Sequence, residues 1–499
     1  MSHVQDIEEP GLVESRQHEL GQFPTPAPLA VFIASMFKPI SQTVRFLDAG
    51  AGVGSLSVAF IERLCAQKRK PKEIAVTAYE VDSALIPILQ ANLDACGRAC
   101  AAIGVRLSVT IHNHDFIEAV VPLVQEDMFT PPLLRFNAAI VNPPYRKIRS
   151  DSSHRMLLRS VGIETTNLYT GFLALIIRLL EDAGQMVAIT PRSFCNGPYF
   201  RSFRQDLLQR VALQRIHVFE SRSVAFSADG VLQENIIFHA IKSAEQSESV
   251  TISSSTGAPD SAVHEHPVHF SQVVSPSDPE CFIHLISDTD QAAVKAAVGL
   301  FTATLADLGL IVSTGRVVDF RAASSLRDQP ASDTVPLIYP CHFNGGFVHW
   351  PKSTGRKPNA IVANEETKSL LVPAANYVLT KRFTSKEERR RIVACIFDPS
   401  KLPPCDNVGF ENHLNYFHAS GRGLPMDLAR GLAMFLNSTL VDLYFRQFNG
   451  HTQVNATDLR NLRYPTRTQL VQLGNRVKVV PVEQNQLDEL VEEELNVRR

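Results

Sequence analysis

Phe46-Leu47-Asp48-Ala49-Gly50-Ala51-Gly52-Val53-Gly54 joins one apolar run to another through three alternate glycines. Val44 to Leu47 reads as a strand, and about Leu56 to Leu64 as a helix. Glycines at such a junction allow a tight turn and let a ligand approach the backbone closely. A dinucleotide fingerprint has the spacing GxGxxG and seats pyrophosphate at the helix N-terminus. Here the spacing is GxGxG, formed by Gly50, Gly52 and Gly54, and Asp48 precedes it. An acid beside the loop repels phosphate and suits the cationic amino-acid end of S-adenosylmethionine. An ordinary strand-to-helix turn is the bland alternative. Glu80 argues against it, because it ends the next strand, Ile74 to Tyr79, where an acid accepts from ribose hydroxyls in nucleotide-binding folds.

Further strands read at Val105 to Ile111, Phe136 to Val141, Gln185 to Thr190, Arg215 to Phe219 and Glu234 to Ile241. Helical stretches alternate with them at about Leu29 to Phe37, Leu85 to Cys96, Leu168 to Glu181 and Phe200 to Leu208. Gly184 is the expected stop of the Leu168 helix, and Arg146 to Ser153 reads as a polar loop. This alternation predicts an α/β fold with a Rossmann-like, doubly wound, mostly parallel sheet. The expected organisation is an arm at 1–20, a catalytic domain at 21–245, a boundary region at 246–280 and a mixed α/β domain at 281–499. The boundary region is rich in Ser, Pro and His, with room for a strand at Ser249 to Ser253.

The 499 residues exceed one ordinary core, and 44% hydrophobic with 20% charged residues predicts a soluble globular protein. No apolar run approaches the roughly 18 residues of a membrane span, and the acidic start Gln5 to Glu9 lacks a signal-peptide layout. Eight scattered cysteines without a CxxC pair read as reduced thiols in a cytoplasmic protein, with no metal site expected. The net charge of −2 argues mildly against nucleic acid, so the distribution of charge matters more than its sum.

The strand Phe136 to Val141 ends in Asn142-Pro143-Pro144-Tyr145. Two prolines stop the ladder and hold the backbone extended. An Asn amide, a rigid carbonyl and an aromatic face are thereby presented at a strand's carboxyl end, where ligands sit in open α/β sheets. An exocyclic amine on an aromatic base is a poor nucleophile, since its lone pair is delocalised into the ring. The Asn142 carbonyl and the Pro143 carbonyl supply two acceptors for its hydrogens, which is catalysis by positioning and electrostatics. Tyr145 is placed to stack on a base that has left its duplex. Alone, Asn-Pro-Pro is a common turn; behind the glycine loop it points to methyl transfer onto an amino nitrogen. Asp115 and Phe116 end the third strand and suit an adenine amine and ring, with Asp115 as a plain helix cap the competing reading. Phe23 and Thr25 suit the methionine end, or else a surface turn before a helix.

In this motif order, residues 21 to about 241 resemble the gamma class of N6-adenine DNA methyltransferases. Gly21 to Pro26 resembles that class's N-terminal cofactor motif, and Asn142 to Tyr145 its catalytic motif. Ile189 to Phe194 resembles the segment that follows, and Phe200 falls where the class places a second aromatic, with Phe194 and Tyr199 as alternatives. Leu379 to Arg391 and Gly450 to Arg460 resemble restriction–modification adenine methyltransferases of the PstI/BsuBI type. The first segment is the densest basic stretch, and Lys381, Arg382, Lys386, Arg389, Arg390 and Arg391 suit phosphate contacts, or else a solvated face. In the second, Asn455 reads as a helix N-cap with Asp458 three residues on, leaving His451 and Gln453 in a loop able to reach base edges.

The resemblance implies a bacterial, cytoplasmic enzyme that acts on the nucleoid. It would methylate flipped-out adenine in double-stranded DNA, with S-adenosylmethionine as cofactor. It further implies a target-recognition domain, a cognate restriction endonuclease and a CTGCAG-like palindrome. A monomer visiting a palindrome twice and a homodimer both accommodate this. The competing readings are an N-methyltransferase for RNA or a protein glutamine amide, and a DNA-binding module without activity.

Overall fold

The computed structural model describes residues 25–495 except 41, 126–134, 220–233, 244, 258–260, 277, 286–298, 300, 353–355, 385–387, 450–452 and 478–482. The chain divides into two compact units, Met1–Ser287 and Asp288–Arg499. Among the described residues no helix is long and apolar enough to cross a membrane.

The first unit alternates strand and helix: α1 (Ala27–Ser35), β1 (Thr43–Ala49), α2 (Ser55–Ala66), β2 (Glu73–Tyr79), α3 (Ile86–Ala102), β3 (Arg106–His112), α4 (Phe116–Val124) and β4 (Phe136–Val141). Then come α5 (Ser153–Ser160), α6 (Leu168–Leu179), β5 (Leu180–Pro191), α7 (Arg201–Arg210), β6 (Val211–Phe219), β7 (Asn235–Lys242), β8 (Ser249–Ser255) and β9 (His264–His269). All nine strands form one sheet, in the order β3-β2-β1-β4-β5-β7-β6-β8-β9. The neighbours from β3 to β5 are parallel, whereas β7 lies antiparallel to both β5 and β6. The fold is a Rossmann-like, mostly parallel α/β sheet, as the alternation predicts.

Burial explains why these segments read clearly. Every residue of β4 is buried, as expected for a parallel strand covered on both faces. Its one polar residue, Asn137, donates to the Thr43 carbonyl and accepts from the Arg45 N–H, both at 2.9 Å, so β4 is tied to β1 by a satisfied buried amide. Helix α6 is buried on all sides apart from Arg178, which pairs with Asp206 at 2.9 Å.

Three expectations differ from the structure. Helix α6 ends at Leu179 and the chain enters β5 directly, so Gly184 lies in a strand and stops no helix. A Cβ there would come within 2.8 Å of the Glu181 carbonyl and 2.9 Å of the Phe136 carbonyl, beside an irregularity in the β4–β5 register. The segment read as a polar loop leads at once into α5, capped by the Ser152 hydroxyl. Finally, the 246–280 stretch, read as a boundary with room for a strand at Ser249 to Ser253, holds β8 there and also β9, and both extend the first unit's sheet.

In the second unit, a six-stranded sheet runs Ile311–Thr314, Leu414–His418, Tyr377–Lys381, Ala394–Phe397, Phe347–Val348, Phe343–Asn344. A five-stranded sheet and helices at Met426–Leu436, Thr439–Phe448, Ala456–Asn461, Arg467–Arg476 and Gln484–Glu494 complete it. Buried Tyr377, Phe397, Phe410 and Tyr416 centre one of its cores.

Candidate active site

Strands β1 and β4 are adjacent and parallel, with Asp48 opposite Ile140, so the glycine loop and the Asn-Pro-Pro-Tyr motif leave the same edge of the sheet side by side. This is the point where the strand order reverses, the usual ligand crevice of such sheets. Gly50, Gly52 and Gly54 have φ of 82°, 57° and 86°, a region side-chain-bearing residues seldom occupy. Gly54 also begins α2 under close packing, since a Cβ would lie 2.7 Å from Leu89. A cavity of about 250 Å³ opens over the loop, lined among others by Thr25, Gly52, Glu80, Asp115, Phe116 and Asn142.

Glu80 is buried at the end of β2, where its carboxylate accepts from the Gly52 N–H at 2.7 Å and the Asp82 N–H at 2.8 Å. The acid therefore shapes the loop as well as facing the cavity. Asp48 lies behind the loop, fully buried. One oxygen accepts from the Ser57 hydroxyl at 2.5 Å, and the other is buried without a hydrogen-bond partner among the described residues. Burial pushes its carboxyl up to about 7, against the Ser57 hydrogen bond and with help from the Glu80 charge.

Asp115 is the N-cap of α4, accepting from the Ile117 and Glu118 N–H groups at 2.9 and 3.0 Å. Its second oxygen meets His154 Nε2 at 3.2 Å, a residue the sequence reading passed over because a lone His in a polar stretch carries no spacing signal. Burial raises the Asp115 carboxyl, but the His154 contact and the two N–H donors outweigh it and hold it below the ordinary value. The Asp115 hydrogen bond raises the His154 imidazole, against burial. Phe116 is buried, its ring against Tyr79 and Phe172 at 5.3 and 5.0 Å.

The Asn142 amide is held at both ends. Its Nδ2 donates to the Thr25 hydroxyl at 3.1 Å, and its Oδ1 accepts from the Tyr145 hydroxyl at 2.8 Å. Thr25, expected at the methionine end, thus meets the asparagine itself. Burial keeps the Tyr145 phenol far above its ordinary range, so it acts as a neutral donor. Pro144 lines the cavity and Pro143 is buried beside it. Tyr169 stands edge-on to Tyr145 at 6.3 Å and contacts Phe200 at 5.7 Å. Phe200, expected as the second stacking wall, is only 7% exposed and packs in the core, and Phe194 is 2% exposed, so neither offers a face. Tyr199, at 77%, does.

The basic stretch of the second unit divides by burial. Arg389 is exposed, and Lys381, Arg382 and Arg390 are half-buried. Arg390 donates to the Asn437 carbonyl. Arg391 is corrected from a phosphate contact to a structural group. It is 1% exposed and donates to the Asn449 Oδ1 at 2.7 Å, while its N–H donates to Asp442 at 2.6 Å. Asn455 caps Ala456–Asn461, and Asp458 accepts from its N–H at 2.9 Å. Gln453 is half-buried and bridges Phe383. Phe23, Lys386 and His451 lie outside the described residues.

A loop that exposes backbone, with Glu80 and Asp115 on the wall and Asp48 behind it, favours a cationic nucleoside over a pyrophosphate, and S-adenosylmethionine fits it. Burial, and with it the Glu80 charge, opposes ionisation of Asp48, and a bound sulfonium would relieve this. Cofactor affinity is therefore expected to rise roughly eightfold from pH 6 to pH 7.5, as the proton on a group titrating at about 7 is lost. Calorimetry in buffers of different ionisation enthalpy should record proton release, and Asp48→Asn should flatten the profile. A pH-independent affinity in the unaltered chain would remove Asp48 from cofactor binding.

Residues 125–226, which contain the Asn-Pro-Pro-Tyr motif, match the family model described as Eco57I restriction-modification methylase. The chain is 45% identical over 486 residues to the type II methyltransferase M.PstI of Providencia stuartii, covering 97% of this chain and 95% of that one. It is 44% identical over 480 residues to the type II methyltransferase M.BsuBI of Bacillus subtilis, covering 95% and 94%. The crystal structure of the type IIG restriction endonuclease BpuSI is similar at TM-score 0.47 and 14% identity, over 97% of this chain and 67% of that one.

Proposed function

Because the chain belongs to the type II DNA methyltransferases of restriction–modification systems, we propose that it methylates the N6 amine of adenine, flipped out of double-stranded DNA, at one recurring site. Its cofactor is S-adenosylmethionine, which when bound supplies an electrophilic methyl group on a cationic sulfonium. The observation that carries the adenine reading is the Asn142 amide, clamped between Thr25 and Tyr145 at the mouth of the cofactor cavity.

The clamp fixes where Oδ1 points. A carbonyl oxygen has two acceptor positions, so Tyr145 and a substrate N–H can share it. The Asn142 and Pro143 carbonyls then accept the amine's two hydrogens and draw its lone pair out of the ring. Neither is a base, and the surplus proton passes to water after transfer. Tyr145 supplies the stacking face, and the exposure of Tyr199 supports it over Phe200 as the second wall. The second unit reads sequence, with Lys381, Arg382 and Arg389 on phosphates and His451 with Gln453 toward base edges. The biological partner is an endonuclease cutting the same site, from which the methylated DNA is protected.

Tyr145 separates two contributions. Tyr145→Phe keeps the ring and loses the hydroxyl that donates to Asn142 and approaches the Ile189 carbonyl, so turnover should drop about fivefold with base flipping intact. Tyr145→Ala should cost a further 1–3 kcal/mol or so in base capture. 2-Aminopurine fluorescence at the target position reads flipping directly; equal signals from both variants would deny the stacking role.

The deciding experiment expresses the chain in a methylation-free host and sequences its genome by single-molecule kinetics. N6-methyladenine at one recurring motif is expected. Methylcytosine, or unmodified DNA from cells holding folded protein with cofactor affinity, would overturn the proposal and favour an RNA or protein amide.

A further inference from the structure

Arg146-Lys147-Ile148-Arg149 follows the catalytic motif without a gap. It borders a second cleft, of about 340 Å³, with Ser152 and His154. Arg146, His154 and Leu168 line both this cleft and the cofactor cavity, so the two adjoin. The basic segment is anchored along its length. The Arg146 carbonyl accepts from the Leu168 N–H at 2.8 Å, and the Ile148 N–H donates to the Thr166 carbonyl at 2.8 Å. Lys147 forms an isolated bridge with Asn167. Ile148 is buried in the main core, and flanking Lys147 and Arg149 are exposed, as alternation along an extended segment requires.

The charges of Lys147 and Arg149 are not matched by acids of the segment's own surroundings among the described residues. Among the described residues Lys147 and Arg149 make no ion pair. The neighbouring Arg155 and Arg159, by contrast, are matched by Glu164 at 2.5 and 2.7 Å. His154 also borders the cleft, with its Nε2 paired to Asp115. A concave, cationic site on a backbone that cannot drift is suited to an anion with several acceptor oxygens. Because it adjoins the catalytic asparagine, the anion belongs next to the reacting group. Extruding a nucleotide rotates its flanking phosphates out of the duplex path, and they need new partners.

We propose that the Arg146–Arg149 segment, through Lys147 and Arg149, holds the phosphodiester beside the flipped nucleotide. The proposal rests on the DNA reading above. A phosphate contact of this kind fixes register and adds no sequence information.

The test uses the full-length double variant Lys147→Gln/Arg149→Gln and short unmethylated duplexes carrying the motif that the enzyme modifies. The variant is expected to raise KM for DNA about tenfold or more, with the dissociation constant for S-adenosylmethionine unchanged, which also reports an intact fold. Fluorescence anisotropy across salt concentrations should show a slope of log affinity reduced by roughly 2, one counterion set per lost contact. A neutral methylphosphonate next to the target adenine should weaken the unaltered enzyme and leave the variant unaffected. Undiminished DNA affinity, or a methylphosphonate penalty equal in both proteins, overturns the proposal. Weaker cofactor affinity with normal DNA affinity would assign the cleft to the cofactor's carboxylate instead. Methyl transfer by the unaltered enzyme is measured alongside. Its absence from DNA would refute the function, while the salt slope still decides the cleft.

Discussion

Asn142→Ala is expected to lower turnover by about 10²–10³-fold or more, with cofactor affinity within about threefold of normal, the magnitude seen when one preorganised polar group is lost from a transition state. The substitution removes the acceptor that meets the amine as its hydrogens gain charge. It also strips Thr25 and Tyr145 of their shared partner. In the proposed site most of the cofactor's contacts fall to the Gly50–Gly54 loop and Glu80, which the change does not touch, with Asn142 one residue of the wider cavity lining. Methyl transfer from labelled cofactor gives the rate, and calorimetry gives the affinity. Near-normal turnover would sink the mechanism; a parallel collapse of cofactor affinity would show that Asn142, which lines the cavity, serves mainly to hold cofactor.

The largest effect on stability is expected at Gly431 and Gly474, where helices Met426–Leu436 and Arg467–Arg476 touch backbone to backbone. A Cβ on Gly431 would lie 1.8 Å from the Leu470 carbonyl oxygen, and one on Gly474 would lie 1.9 Å from that of Asp427. Real atoms cannot approach so closely, and the opposing atoms belong to main chain that has no rotamer to change. The helices must separate, opening the contacts around buried Leu428, Leu432, Leu470 and Leu473. Gly431→Ala should therefore destabilise the second unit by about 3–5 kcal/mol, among the larger single-residue effects. Chemical denaturation followed by hydrogen exchange checks it. A loss below about 1 kcal/mol would mean that the helices can slide apart cheaply.

How much of this was legible varied along the chain. The first unit spoke through β-rich runs of six or seven residues such as Phe136–Val141, long enough for burial to leave a pattern. The second unit is built from strands of two to five residues, among them Phe347–Val348 and Leu371–Pro373, too short to show a period. Ser, His and Pro at 249–269 suggested a boundary, yet an edge region of a sheet tolerates them, and β8 buries Val250 and Ile252 there. Helix α5 was hidden because its polar face dominates, leaving Leu158 as its fully buried residue. The glycines and acids of the cofactor site were readable from spacing. Their division of labour was not: which acid lies behind the loop, and which oxygen meets His154, depend on tertiary placement. Likewise a run of arginines shows charge but not burial, and Arg391 turned inward because Asn449 and Asp442 receive its donors.

The seat of β4 has one more consequence. Phe46 pairs with Ala138, roughly ninety residues further along, so this strand closes a long loop when it slots in between β1 and β5. Asn142 and Pro144, which line the cavity over the glycine turn, follow directly on this strand. A polypeptide ending after β3 would carry every glycine of the turn without the Asn142 and Pro144 that face it. The glycine turn and the Asn142 motif, about ninety residues apart in the chain, are therefore brought side by side only where the centre of the sheet is complete.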